Sequence, residues 1–266
     1  MHVLSSRFGL RFLRLLVVAF ATFLPLLGTA HRPDAENTAR WSVRPGVGYT
    51  IGVFVPTPTP AELRAVDHYA PVGGLRFGAD VVYRTGGVVD CSIGAYFTDR
   101  GMDTEVRVSG YRTKVVQGSQ QLSGYFFGRN HTRARLRGLF VPIAVRYPMG
   151  RCTLTGGAYL EWYSLTQFSG TASDGYLRVD RPTGDKVLIG PTNEGSASYD
   201  FSDQLNDSGF GLHLGGEYAL SKRFLLNAQL TWALTPAFDR SFTAVPTPLH
   251  PLGVTLGVNY VLSGAR

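Results

Sequence analysis

From Phe210 to Leu234 the chain alternates apolar and polar residues with a period of two. Phe210, Leu212, Leu214, Tyr218 and Leu220 fall on one set of positions, with Gly211, His213, Gly215 and Glu217 between them. After Ser221-Lys222-Arg223 the pattern resumes, with Phe224, Leu226, Leu230, Trp232 and Leu234 set against Asn227, Gln229 and Thr231. A period of two places successive side chains on opposite faces of a strand, so this stretch predicts an antiparallel hairpin closed by a short turn. Each arm is about eleven residues long, the length a tilted strand needs to cross a bilayer.

The same alternation predicts six further strands, over residues 41–55, 75–83, 89–97, 139–147, 152–165 and 252–262. Between them the connections run long, short, long, short, long, short, long. Pro56 to Ala70 is proline-rich and reads as a connection, because proline cannot donate to a sheet ladder. Residues 98–135 and 166–207 are long and polar and read as large loops, the first with strand extensions rising above the membrane. Eight strands with alternating short turns and long loops, and both ends on the short-turn side, match an outer-membrane barrel. The predicted fold is therefore all-β, an eight-stranded antiparallel up-and-down transmembrane barrel. A soluble barrel of eight strands would carry its apolar face inward. The aromatic residues near strand ends, Trp41, Tyr83, Tyr147, Trp162, Trp232 and Tyr260, favour the membrane, where such rings form interfacial girdles.

The first thirty residues differ from the rest. Arg7, Arg11 and Arg14 precede an apolar run from Leu15 to Leu27, and Gly28-Thr29-Ala30 supplies small residues for cleavage. This reads as a cleavable signal peptide over residues 1–30, followed by a periplasmic lead-in (31–40), the barrel domain (41–262) and a short tail (263–266). The formal net charge of +7 includes those three arginines, so much of the basic character belongs to targeting. Nucleic acid is excluded as a partner for an exported chain without a compact basic motif. Cys91 and Cys152 are too few for a disulfide framework. Both face lipid on strands separated by a third, beyond disulfide reach, and are expected as free thiols.

The polar face brings together Arg44, Arg76, Arg84 and Arg146 with Asp80, Asp90, Glu161 and Glu217, and His213 lies among them. Charges inside a narrow barrel must pair, because burying one alone is costly. The expected state is an interior charge network that fills the bore. A serine hydrolase would need Ser164 beside His213 and Glu217, yet the alternation puts Ser164 on the lipid face and the other two in the bore. No catalytic motif is present, so no enzyme, cofactor or metal is expected. Arg133, Arg135 and Arg137 continue the outward face just beyond Leu139 and Val141. Three guanidiniums at headgroup level are candidate contacts for lipopolysaccharide phosphates.

Leu139-Phe140-Val141-Pro142-Ile143-Ala144-Val145-Arg146-Tyr147, the glycine-bearing turn after it, and Leu154-Thr155-Gly156-Gly157-Ala158-Tyr159-Leu160 resemble the PorT-like outer-membrane β-barrel family of Gram-negative bacteria. Phe210-Gly211-Leu212-His213-Leu214-Gly215-Gly216-Glu217-Tyr218 is similar to its glycine-rich sixth strand. Two positions depart from the family pattern: Phe140 stands where a Glu is common, and the chain ends Ser263-Gly264-Ala265-Arg266 rather than on an aromatic residue. The resemblance implies an integral outer-membrane protein and no single activity. The expected function lies in the extracellular loops: surface recognition, adhesion, or support of envelope assembly or secretion. The alternative is a narrow channel for small solutes. The expected partners are outer-membrane lipid, lipopolysaccharide, the barrel insertion machinery and an envelope or secretion protein.

Overall fold

The computed structural model describes residues 40–262 apart from 59, 118, 119, 191–194, 240, 243 and 246. The predicted signal peptide, nearly all of the lead-in and the tail lie outside the described residues. The chain forms β1 (Trp41–Pro56), β2 (Leu63–Tyr83), β3 (Asp90–Gln117), β4 (Gln120–Met149), β5 (Cys152–Val179), β6 (Lys186–Ile189), β7 (Ala197–Asp200), β8 (Ser208–Ala219), β9 (Phe224–Ala233) and β10 (Leu249–Tyr260). β1, β2, β3, β4, β5, β8, β9 and β10 pair in that order, each antiparallel to its neighbours, and β10 returns to β1. This closes the predicted eight-stranded barrel, with every strand paired on both sides over the lower part of the membrane zone.

The faces are those the alternation requires. Leu226 and Leu256 point outward and are 42% and 61% exposed, and Leu212, Leu214, Ile143 and Val47 are exposed with them. Their inward neighbours Glu217, Thr231, Thr255 and Arg146 are buried. The aromatic residues divide into two levels. Trp41, Tyr83, Tyr147, Phe224 and Tyr260 lie at the short-turn end, where Trp41 packs on Tyr83 with ring centroids 4.6 Å apart. Trp162 and Trp232 mark the opposite rim, opposite Leu139 and Leu252.

Above that rim the structure corrects the reading of residues 98–135 and 166–207. Most of these residues are strand. β3 and β4 run 28 and 30 residues and pair almost to their tip, and β5 continues to Val179. β2 also begins earlier than predicted, at Leu63. The upper parts of β3, β4 and β5 form a crown. β6 and β7 add to the free edge of β5, and Val116 of β3 bridges to Ser198 of β7, closing a smaller ring. Its interior is apolar: Val108, Phe126, Leu136, Phe168, Leu177 and Phe201 belong to one buried cluster.

The alternation runs through both bodies without a break on β4, and only its chemistry inverts. Below the rim, outward positions are Leu139, Val141 and Ile143; above it, the same outward set is Arg133, Arg135 and Arg137. Inward positions change from Phe140 and Arg146 to Ala134 and Leu136. Lipid demands apolar atoms on the outside and water demands polar ones, so one continuous strand must exchange its faces at the membrane surface. On β5 a register shift opposite Arg137 and Gly138 leaves Ser164 as the extra residue of a bulge. Ser164 is exposed there, away from His213 and Glu217.

Candidate functional site

The bore holds two chemically distinct layers. The lower one, inside the membrane span, is built from alternate positions of all eight barrel strands. Glu217 on β8 is its hub. It accepts hydrogen bonds from Arg44 on β1 (3.0 Å), from Arg146 on β4, and from Asn259 Nδ2 on β10 (3.3 Å). Asp80 on β2 accepts from the Tyr96 hydroxyl at 2.5 Å. The Arg76 guanidinium lies over the Tyr96 ring (4.1 Å to its centroid) and the Phe140 ring (4.7 Å). It also donates to Gln229 and to Thr255 Oγ1, the latter at 3.5 Å. The Gln229 side-chain amide meets His213 Nδ1 at 2.8 Å, and His213 Nε2 lies 3.3 Å from the carbonyl of Ile143. Assigned from this network, the donor chain runs Arg76 to Gln229 to His213 to Ile143, which puts the imidazole proton on Nε2. His213 is a neutral link in a hydrogen-bonded chain, with both nitrogens occupied.

Arg84 and Asp90 sit at the short-turn end and line the same small void as Arg44, Arg146 and Glu217. The Asp90 carboxylate also accepts from the backbone N–H of Thr85, at 3.3 Å. Glu161 is separate from this hub. It belongs to a second ion pair, higher in the bore, in which Arg100 Nη1 and Nη2 donate to its two oxygens at 2.7 and 2.8 Å. The Tyr163 hydroxyl donates to the same carboxylate at 2.9 Å. Gly52 makes room for this arrangement, since a Cβ there would lie 3.2 Å from the Arg100 side chain. Arg100 and Tyr96 are the functional side chains that the alternation of residues 89–97 left out of the network. Arg100 lies just beyond residues 89–97, and Tyr96 shares the parity of Asp90 but carries no charge that would mark it as part of a charge network.

Together these groups fill the lower bore. Two voids between them are about 40 and 60 Å³, room for a few hydrogen-bonded waters. A guanidinium lying over two rings, with Glu217 held by two arginines and Glu161 by one, forms a packed plug.

Above Arg100 and Glu161 the character reverses. A cavity of about 590 Å³ opens, lined chiefly by aliphatic and aromatic side chains such as Phe54, Met102, Val108, Phe168 and Phe201. Some of its polar groups are engaged, while the buried Asn130 Oδ1 has no hydrogen-bond partner among the described residues. Thr132 Oγ1 meets the Tyr199 hydroxyl at 2.6 Å, and Thr104 donates to the carbonyl of His68 at 3.0 Å. Burial pushes the Tyr199 hydroxyl up to about 12, so it stays protonated.

Arg133, Arg135 and Arg137 project outward at the rim, as the alternation predicts, and each has a carboxylate partner across the strand pair. Arg133 binds Asp103 (2.9 Å), Arg135 grips Asp99 with two bonds (2.7 and 2.6 Å), and Arg137 shares Asp99 at 3.1 Å. Cys91 and Cys152 are free thiols, as expected.

Solved structures similar to the chain include the attachment invasion locus protein Ail of Yersinia pestis (10% identity, 84% of this chain and 100% of that one, TM-score 0.35). They also include OprG of Pseudomonas aeruginosa (12%, 84% and 97%, TM-score 0.34) and Neisserial surface protein A (10%, 84% and 97%, TM-score 0.31). No curated protein matches the chain. Residues 31–239 match the family described as outer membrane protein beta-barrel domain. With a closed ring of eight antiparallel strands, an apolar outer band and that match over most of its length, the chain belongs to the outer membrane protein beta-barrel domain family and is an integral protein of the outer membrane.

Proposed function

We propose that the protein is a non-conducting, non-enzymatic outer-membrane barrel that works through its extracellular crown, as a surface-recognition element. The observation that supports this reading is the division of labour along β3, β4 and β5. About ten residues of each strand suffice to cross the membrane, yet these strands run 28, 30 and 28 residues. The additional length builds a folded body above the rim, with its own apolar core and a charged outer face. A structure that only sealed or anchored would need no such body. The filled lower bore argues against a solute path. Purified barrel in a planar bilayer is expected to give no unitary conductance steps; defined steps would overturn the closed-bore reading and favour the narrow channel.

The rim arginines support a second contact, to lipopolysaccharide. Each guanidinium carries five donors, and the bonds to Asp99 and Asp103 leave some of them over. Arg133 keeps 57% of its side chain exposed. Replacing Arg133, Arg135 and Arg137 together with Ser is expected to lower the lipopolysaccharide that co-purifies with the barrel; unchanged retention rejects the contact.

A further inference from the structure

The barrel wall is incomplete at one place. β1 and β2 pair from Trp41 opposite Tyr83 only as far as Tyr49 opposite Leu75. Beyond that point β1 continues to Pro56 paired with β10 alone, and β2 pairs with β3 alone. The departure is built into β2. Gly73 and Gly74 both have positive φ (74° and 113°) at a register shift against β3, the geometry of a bulge that bends a strand away from its neighbour. A Cβ on Gly74 would meet the Tyr49 ring at 2.3 Å, so the bend also needs glycine for space.

Part of the free edge of β1 is capped in this open form. Alternate residues direct their backbone groups to the same side of a strand, so Gly52, Phe54 and Pro56 face the gap. The Gly52 carbonyl accepts from the Tyr69 hydroxyl at 2.8 Å. The Phe54 N–H donates to the Met102 thioether at 3.5 Å. Pro56 has no N–H to satisfy. Pro71 lies in the facing part of β2, where one side of the strand is likewise without a ladder. Each of these substitutes would be superfluous if β1 and β2 zipped together.

The cavity of the crown reaches this gap. Phe54 lines it from the inward face of β1, while Ile51 and Val53 line it from the outward face, together with Leu252 and Val254 of β10. Those four belong to the face that meets acyl chains elsewhere on the barrel, and Leu252 is level with Trp232 of the outer girdle. The void therefore runs past the unpaired edge of β1, from the apolar interior of the crown to the outer leaflet. Its volume of about 590 Å³ lies within the range of small-molecule sites.

We propose that the cavity is a binding site for a hydrocarbon chain, which passes between it and the outer leaflet through the gap between β1 and β2, with Tyr69 as the side chain that spans the opening. The chemistry is that of an acyl chain, supplied either by a membrane lipid or by a free fatty acid. Only an apolar ligand matches an apolar void with a mouth lined by lipid-facing residues, and the polar plug below stops it from going further.

The test places a fluorescent reporter on the inner wall. In a barrel whose Trp41, Trp162 and Trp232 are replaced by Phe, Phe168→Trp puts a single indole in the cavity; Phe201→Trp is the second reporter should the first not fold. The protein is reconstituted in vesicles of phosphatidylethanolamine, with folding checked by its mobility in unheated gels. Bromine quenches an indole only at close range. Loss of most of the emission in vesicles with brominated acyl chains shows entry of a lipid chain from the leaflet. Quenching only when 9,10-dibromostearate is added to unbrominated vesicles identifies the free acid as ligand. Narrowing the void with Val108→Phe is expected to weaken either signal. A folded barrel quenched by neither source overturns the proposal.

Discussion

At the scale of single residues, the decisive contact is the one between Arg100 and Glu161. Both side chains are nearly inaccessible, at 4% and 1% exposure, and they meet through two parallel bonds. Such a pair gives little net stability over a well-packed apolar pair, yet removing one partner strands a charge. Arg100→Met alone is therefore expected to cost about 3–5 kcal/mol, and Arg100→Met with Glu161→Leu to recover most of it. Urea unfolding of the barrel in vesicles measures both. A double-variant loss equal to the sum of the losses from Arg100→Met and Glu161→Leu singly would mean that the two groups act independently. The remaining interior charges were legible because they occupy the polar parity of short, strongly alternating strands. Glu161 was legible for the same reason, but its partner was not. Arg100 follows Thr98 and Asp99 in a stretch with polar residues on both faces, and nothing in that pattern reveals that the strand goes on.

The elements explain why the crown was harder to read than the barrel. Over the membrane, each strand sets apolar atoms outside against polar ones inside, and the contrast is visible residue by residue. In the crown both contrasts are weaker. Met102, Thr104 and Val106 turn inward, while Asp103, Glu105 and Arg107 turn outward to water and to cross-strand partners, so the stretch looks hydrophilic on average. Arg133-Ala134-Arg135-Leu136-Arg137 does carry the signal, since its alternation is in phase with Leu139, Val141 and Ile143. Reading that phase through the change of solvent would have extended β4 and, by pairing, β3. The consequence can be measured by surface proteolysis of whole cells. A loop over residues 98–135 would be cut along its length, because proteases need some residues of extended, unpaired chain. The paired strands β3 and β4 are expected to resist, with early cuts confined to connections such as Asp180–Asp185 between β5 and β6. Early cleavage between Asp99 and Val108 would show that the hairpin is not held.

For the whole molecule, the two bodies share strands but not the chemistry that stabilises them. The barrel rests on a closed ladder and an apolar band in lipid, and its interior carboxylates sit in a packed plug. The crown carries its carboxylates on the outer face, in a row of cross-strand ion pairs. Asp103 shows how this row responds to acid. Burial alone would raise its carboxyl, but the hydrogen bonds from His131 and Arg133 outweigh that and hold it below the usual carboxylate range. A carboxyl depressed in the folded state stabilises the fold at any pH above its unfolded value, near 3.9. That stabilisation is lost as the pH falls through the lower, folded value. The direction of the effect is therefore fixed: acid loosens the crown from its outer face. Near pH 3 the crown is expected to lose amide protection, measured against the intrinsic exchange rate at each pH, while the barrel keeps its folded mobility in unheated gels. Asp103→Asn removes the titrating group and should flatten the response of β3 and β4 around that position, whereas an unchanged acid response would place the sensitive carboxyl elsewhere in the row.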